Sequence, residues 1–425
     1  MRGALTKPIF HEIVGGLSTF FAISYLFVLA PQLLSIAGID FGAALSATII
    51  VIALATLFFA LYVNGPIAVG PGLSVMTYLV FSVMGKHILD WQGALGLVFW
   101  AALLQYLLSA FGWRKKILLA IPESLQLASA AGLGLFFIAV GLKQLGILEI
   151  IQGKLAMGAL GGNGQIIASV GLVLFFFLHK VHFPGSCLIP VIFCWVLALL
   201  FGETKWQGLF SLPPSLGSTF FKLTFSSILH PQYWSILLTI LLISIFDASA
   251  TLSALARQLG WMRPDGRIRN LEQAVIPDGI GSMLGAFLGT TSCSLYAESS
   301  IGIHAKGRTW LSGCTIAVCC LSALFLYPAL SSIPLFATAP VLIGIGVKLA
   351  LYLKCIDWKK IPEAFSFLIT SFAMPVFFSL YWGFALGFIS YTLLKTLIGQ
   401  AKKIHPIVWI LTFIFAAHLL LIGIF

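Results

Sequence analysis

Charge is what this chain most conspicuously lacks: 9% of its 425 residues are charged, against 60% hydrophobic, and its mean hydropathy is +1.06. Soluble globular domains carry about a quarter charged residues, so an aqueous fold is excluded. Long polar segments are missing too. The two longest, Gly202–Tyr233 and Arg257–Leu271, are loop-sized, which leaves no room for a second domain, a linker or a low-complexity tail. The seven cysteines form no C-x-x-C pair, and nearly all sit inside apolar runs, where they read as small buried side chains. The eight histidines are scattered without an H-x-x-x-H or D-x-D cluster, so neither a metal nor a cofactor is expected. The opening "MRGALTKPIFHE" lacks the short apolar core and small-residue cleavage site of a removable leader, and is expected to be retained.

What the chain does have is apolar runs of membrane-crossing length. They fall at about 14–36, 42–63, 67–84, 91–112, 123–142, 165–180, 183–202, 232–256, 273–289, 291–305, 309–330, 334–353, 362–380 and 382–399. Most can cross a hydrocarbon layer of ~30 Å as a helix. The expected class is therefore an all-α polytopic membrane protein of 14 transmembrane segments, with the lipid bilayer as its constant partner. A formal charge of +11 does not point to nucleic acid, because the cations are dealt out to alternate loops instead of forming one face. Of the 24 Lys and Arg, 17 share the N-terminal side, five lie opposite, and Lys348 and Lys395 fall within spans. That bias predicts a cell-membrane protein with a cytoplasmic N-terminus. The segment His405–Phe425 is either a further crossing or a helix lying in the interface.

Two blocks share the spacing I-P-x9-G-x-G: "IPESLQLASAAGLG", with Pro122, Gly132 and Gly134, and "IPLFATAPVLIGIG", with Pro334, Gly344 and Gly346. They open spans five and twelve from opposite sides, which predicts 7+7 inverted repeats, one over about 11–202 and the other over about 232–400. Span three is then the counterpart of span ten, and both are poor helices. "NGPIAVGPGLSVMTY" is broken by prolines and glycines, and "GTTSCS" is rich in β-branched and hydroxyl side chains. Interrupted spans at matching places in two halves point to a transport site.

The 13 acidic residues narrow the search. Asp40, Asp90, Glu149, Glu203, Asp265, Glu272 and Asp357 are boundary residues, and Glu12, Glu123 and Glu363 sit at helix starts, where the positive end of the dipole suits them. Asp247, Asp278 and Glu298 remain. Asp247, in "LLISIFDASATLSAL", lies roughly 4–5 Å past the middle of span eight. Glu298 is at the centre of span ten. An ionised side chain at that depth costs at least about 2.5–3.5 kcal/mol, so a functional use is the default reading. Asp278, some six residues into span nine beside Pro277, reads as a first-turn acid. Gly281, Gly285 and Gly289 form a stripe that lets another helix come close. His182 and His304, near cytoplasmic span ends, are weaker candidates for a proton relay. Phe246 and Tyr296, each beside a carboxylate, are candidate stacking or hydroxyl partners of a ligand.

These residues resemble the nucleobase–cation symporter family (xanthine/uracil permease superfamily), in its adenine/guanine/hypoxanthine permease, AzgA-like, branch. "EIVGGLSTFFAISYLFVLAP" is similar to the family's first span, "PIAVGPGLSVMTY" to its third, "IFDASATL" to its eighth-span F-D-T-T-G-T-L and "LGTTSCSLYAESSIGIHAKGRT" to its tenth-span G-T-S-x-x-T-Y-x-E-S. "ATAPVLIGIGV" and "GFALGFISYTLLK" match its last helices. The resemblance implies a core domain of spans 1–4 and 8–11 moving against a gate of spans 5–7 and 12–14. It also implies purine uptake by alternating access, with H⁺ or Na⁺ as the coupling ion. Asp247 and Glu298 then bind the base and carry the proton, and Thr251 with the backbone around Val75 and Ala297 line the site. The family's span-three asparagine is Met76 here, its first-span F-V-N-P reads Val28, Leu29, Ala30 and Pro31, and the first acid of its D-L-F-D is Ser244. Which base is carried, and whether the chain is a monomer or a homodimer, stay open.

Two other readings are weighed beside this one. An anion or other small-solute carrier of the same fold would not place paired acids at mid-depth, where they repel its cargo. A membrane-embedded enzyme would gather its catalytic residues at one interface.

Overall fold

A computed structural model describes residues 2–422 apart from 152–153, 159–160, 182, 184 and 262–270. His182 therefore lies outside the described residues. The first half comprises α1 (Arg2–Ile23), α2 (Leu26–Ile36), α3 (Phe41–Val63), β1 (Val69–Pro71), α4 (Leu73–Tyr78), α5 (Trp91–Ala110), α6 (Trp113–Ala120), α7 (Glu123–Gln144), the hairpin β2 (Leu148–Ile151) and β3 (Lys154–Met157), α8 (Asn163–Lys180) and α9 (Leu188–Leu200). The second half comprises α10 (Trp234–Leu259), α11 (Leu271–Leu288), β4 (Cys293–Leu295), α12 (Ser299–His304), α13 (Trp310–Ala323), α14 (Tyr327–Ser331), α15 (Ala339–Ala350), α16 (Ile361–Val376), α17 (Leu380–Leu397) and α18 (Pro406–Ile422). Eight helical segments among the described residues are long and apolar enough to cross a membrane, and shorter apolar helices accompany them.

Spans three and ten are each half strand and half helix. Span three is β1 followed by α4 and a π-helical turn over Leu79–Met84, and span ten is β4 followed by α12. The strands pair antiparallel, Val69 with Leu295, Gly70 with Ser294 and Pro71 with Cys293. The backbone groups that the missing helix leaves bare are thus satisfied across the two repeats, the condition for non-helical chain at membrane depth. Gly70 is required at this crossing: a Cβ there would run into Ile52 and sit 2.6 Å from the Tyr296 hydroxyl.

The repeated I-P-x9-G-x-G blocks meet as well. A Cβ on Gly134 of α7 would lie 2.6 Å from the Gly346 carbonyl, and one on Gly346 of α15 would lie 2.7 Å from the Gly134 carbonyl. The shared spacing therefore marks a backbone-to-backbone crossing between the halves. Packing divides the helices into two groups. One joins α1, α2, α3, α5, α11, α12 and α13, and the other joins α7, α8, α9, α15, α16, α17 and α18.

Several sequence expectations need correction. Glu12 does not start its own helix, because α1 begins at Arg2; its carboxylate instead caps α13, accepting from the Arg308 and Thr309 amides at 3.1 Å and from Ser312 Oγ at 2.6 Å. Of the glycine stripe only Gly281 faces a helix, through Ala55; Gly285 makes room for the Thr291 carbonyl and Gly289 for Thr219. Arg114 is not a loop cation: it is 4% exposed and reaches inward from the start of α6. The hairpin β2–β3 escaped the sequence reading, being too short for its period to register.

The segment after His405 runs back along α17. Its Thr412 Oγ1 donates to the Phe388 carbonyl, and His418, near its far end, contacts Tyr381 OH at 2.8 Å and Ser235 Oγ at 2.7 Å, both at the first turns of their helices. Those first turns lie at the opposite end from Pro406, so α18 runs antiparallel to α17 along its length.

Candidate functional site

Two carboxylates border the β1–β4 crossing. Asp247 sits midway along α10, and its Oδ2 accepts from Ser74 Oγ at 3.1 Å in the first turn of α4. A Cβ on Gly72 would lie 3.8 Å from that oxygen and 3.3 Å from Ser294 Cβ, which puts the acid beside both strands. Glu298 follows β4 directly and stands at the N-terminus of α12; its Oε1 accepts from Tyr25 OH at 2.9 Å. Each acid is thus held by one hydroxyl from a segment far away in sequence. Tyr25 occupies the break between α1 and α2.

The surroundings of the pair are open on one side. Along α10, Asp247 and Thr251 are half-buried and Ala250, Ala254 and Gln258 are exposed, a spacing that follows one helical face. On the neighbouring segment Ala297 and His304 are exposed, and Glu298 and Ser300 half-buried. Ser300 Oγ donates to Gln258 Oε1 at 2.8 Å, tying the two strips together at their far end. The accessible face is made of small and polar residues, where a lipid-facing strip would be apolar. The first-turn amides of α4, at Leu73, Ser74 and Val75, have no partner within their own helix.

The other candidates divide. Thr251 and Ala297 belong to the open strip, and Val75 is buried in the first turn of α4. Phe246 of α10 packs against Phe384 of α17 with ring centroids 5.9 Å apart. The Tyr296 hydroxyl is spent on the Pro71 carbonyl at 3.0 Å, so it secures the strand crossing. His304 keeps its Nδ1 2.7 Å from the Ser300 carbonyl. Asp278 is not the first-turn acid of the sequence reading. It is fully buried and accepts from Gln105 Nε2 at 2.6 Å, with Arg114 Nη1 at 3.7 Å. Met76 and Ala30, where the family has asparagine, are packed in one apolar cluster, and Ser244 Oγ lies 3.5 Å from Ser292 Oγ. Among the described residues no group of histidine, cysteine and acidic side chains is arranged to hold a metal.

Sequence reasoning missed Tyr25, Ser74, Arg114 and Gln105 as partners of these acids. Tyr25 and Ser74 lay within quoted motifs, yet nothing in one sequence tells which hydroxyl faces which acid.

Two interrupted helices crossing at mid-depth, with acids at the crossing and the halves inverted, define a membrane carrier. The transmembrane domain of the cyanobacterial bicarbonate transporter BicA has this 7+7 inverted-repeat fold: it superposes with a TM-score of 0.67 at 18% identity, over 88% of this chain and 96% of that one. A model of the Permease family matches residues 10–386, and the chain belongs to that family. Three relatives align over nearly their whole length. A permease of Methanocaldococcus jannaschii is 35% identical over 95% of this chain and 93% of its own. The guanine/hypoxanthine permease PbuO of Bacillus subtilis is 32% identical over 97% of both chains, and the adenine permease AdeQ of Escherichia coli is 29% identical over 97% and 93%. The relatives are permeases and not enzymes, and this chain is a multi-pass membrane transporter.

Proposed function

We propose that this protein is a secondary active transporter that takes up purine nucleobases across the cell membrane, coupled to H⁺, by alternating access. The observation that carries the reading is the convergence of Asp247 and Glu298, 51 residues apart, on one strand crossing with an accessible polar strip beside them. A purine edge offers N–H donors and ring acceptors. The carboxylates take the N–H groups, and the amides of Leu73, Ser74 and Val75 meet an acceptor. A site built to pair a base edge leaves its polar groups unpaired when the ligand does not match, which is a strong basis for selection. The purine permeases among the relatives support the same class of cargo.

In this reading the helix group containing α3, α5, α11 and α13, with α10 and the two half-helices, is the core that carries the ligand, and the group containing α7, α15, α16 and α17 is the gate. With the N-terminus cytoplasmic, as the charge bias favours, the open strip on α10 and α12 faces the cytoplasm, so the conformation is inward-facing. Protonation of one carboxylate supplies the coupling, because a neutral acid crosses the dry interface at lower cost than an ionised one. Asp247 and Glu298 are the groups assigned to it.

Uptake into proteoliposomes under an imposed pH gradient tests the proposal. Labelled purines should accumulate when the lumen is alkaline, and the signal should vanish with a protonophore. Absence of transport for every purine and pyrimidine in a panel would refute it.

A further inference from the structure

A cavity of about 500 Å³ lies where the start of α7, the end of α17 and the start of α18 come together, and it shares no residue with the site around Asp247 and Glu298. Its volume falls in the roughly 300–1,000 Å³ range of small-molecule sites. Three exposed polar side chains line it: Glu123 in the first turn of α7, and Lys403 and His405 in the link from α17 to α18. Among the described residues neither Glu123 nor Lys403 makes an ion pair, so a carboxylate and an ammonium border one cavity without meeting. His405 Nδ1 accepts from the Ile407 amide at 3.3 Å, which leaves Nε2 to donate. Tyr391, 5% exposed, lines the cavity from six residues before the end of α17, about 9 Å further in. Lys395 Nζ lies over its ring at 5.6 Å and is itself paired with Glu363 at 3.0 Å, whereas the Tyr391 hydroxyl has no hydrogen-bond partner among the described residues. Buried Ala120 and Ile121 add an apolar wall. Exposed Trp113 at the start of α6 and Trp409 in the first turn of α18 flank this end, and tryptophans on the outside of a membrane protein mark the headgroup level.

We propose that this cavity holds the head of a membrane phospholipid that carries a phosphoethanolamine zwitterion. Lys403 and His405 Nε2 donate to the phosphate, Glu123 accepts from the terminal ammonium, and the Tyr391 hydroxyl meets an ester oxygen below it. The assignment is independent of the purine reading. A phosphodiester only accepts and a primary ammonium only donates, so a cavity with both complementary groups unmet is matched by a head that carries both charges. Phosphatidylglycerol brings the phosphate without a cation and leaves Glu123 facing like charge. Phosphatidylcholine brings a cation with no N–H to give. The order of the lining agrees with the order of the lipid: charged side chains at the helix ends, a buried hydroxyl about 9 Å in, and an apolar wall, against phosphate, ester and acyl chain.

The test is native mass spectrometry of the detergent-purified full chain, titrated with an equimolar mixture of phosphatidylethanolamine and phosphatidylglycerol bearing the same acyl chains. The wild type should bind phosphatidylethanolamine in preference by about tenfold, the scale of one hydrogen bond to a charged group. Glu123→Gln should bring the two lipids to within about twofold of each other, while Lys403→Gln, which touches the phosphate common to both, should weaken both and keep their ratio. Tyr391→Phe should weaken both by about two- to tenfold, as expected for one neutral hydrogen bond. Equal binding of the two lipids by the wild type, or a ratio unchanged in Glu123→Gln, would overturn the proposal. Should Glu123→Gln fail to fold, as size-exclusion would reveal, lipid occupancy unaltered in both Lys403→Gln and Tyr391→Phe would overturn it instead. Free phosphoethanolamine is added as a competitor: it should displace the lipid only at large excess, and displacement at equal concentration would overturn the assignment to a membrane lipid.

Discussion

Asp278 and the pair Asp247 and Glu298 look alike in sequence, as acids in apolar helices, and the structure treats them in opposite ways. Asp278 is sealed: fully buried, with Gln105 at 2.6 Å and Arg114 at 3.7 Å. Asp247 and Glu298 are half-buried beside an open strip, each steadied by one hydroxyl. Depth in the membrane says that an acid must have a use. Partner and access say which use, and an acid whose charge is already met by an internal guanidinium serves the fold, whereas one left facing a cleft is available to a ligand.

The contrast can be broken most forcefully at Arg114. Arg114→Met strands Asp278 in the interior and should cost about 3–5 kcal/mol, read as a large drop in the thermal midpoint of the detergent-purified protein. Adding Asp278→Asn removes the stranded charge and should recover most of the loss. If Arg114→Met alone melts like the wild type, the pair is not structural. By the same logic Glu298→Gln and Asp247→Asn should leave the midpoint unchanged or slightly raised, because they remove charges that have no cationic partner at ion-pair distance among the described residues.

Smaller effects sharpen the distinction. Tyr25→Phe removes the hydroxyl that orients Glu298, a hydrogen bond to a charged group worth about 1.5–3 kcal/mol. Purine affinity should fall by roughly ten- to a hundredfold; an unaltered Kd would mean that Glu298 needs no such support. Glu12 provides the smallest. It is a second sealed acid, spent on the N-terminus of α13 through the Arg308 and Thr309 amides and Ser312. Glu12→Ala should cost about 0.5–2 kcal/mol, the range for a lost helix cap, while leaving transport per folded molecule as it was.

Much of this was legible in the chain itself. The spans follow from hydropathy, and the matched glycine spacing foretold the inverted halves because both copies serve one contact, Gly134 against Gly346. The two interrupted spans and the acids beside them were visible for the same reason: proline, glycine and carboxylate are expensive inside a membrane and stand out. What the sequence hid were relations between distant side chains. Tyr296 reads as a ligand partner by its place beside Glu298, yet its hydroxyl closes the strand crossing on Pro71. Arg114 reads as a loop cation because its span seems to end before it, and only packing shows that a long side chain reaches back to an acid on α11.

The joint grip of Asp247 and Glu298 on a base is open to direct measurement by equilibrium binding of labelled hypoxanthine to purified protein, comparing the wild type with Asp247→Asn and Glu298→Gln. Each variant should remain folded and lose at least about a hundredfold in affinity, the scale of a stranded hydrogen-bonding edge. Wild-type affinity in both variants would contradict a shared carboxylate site.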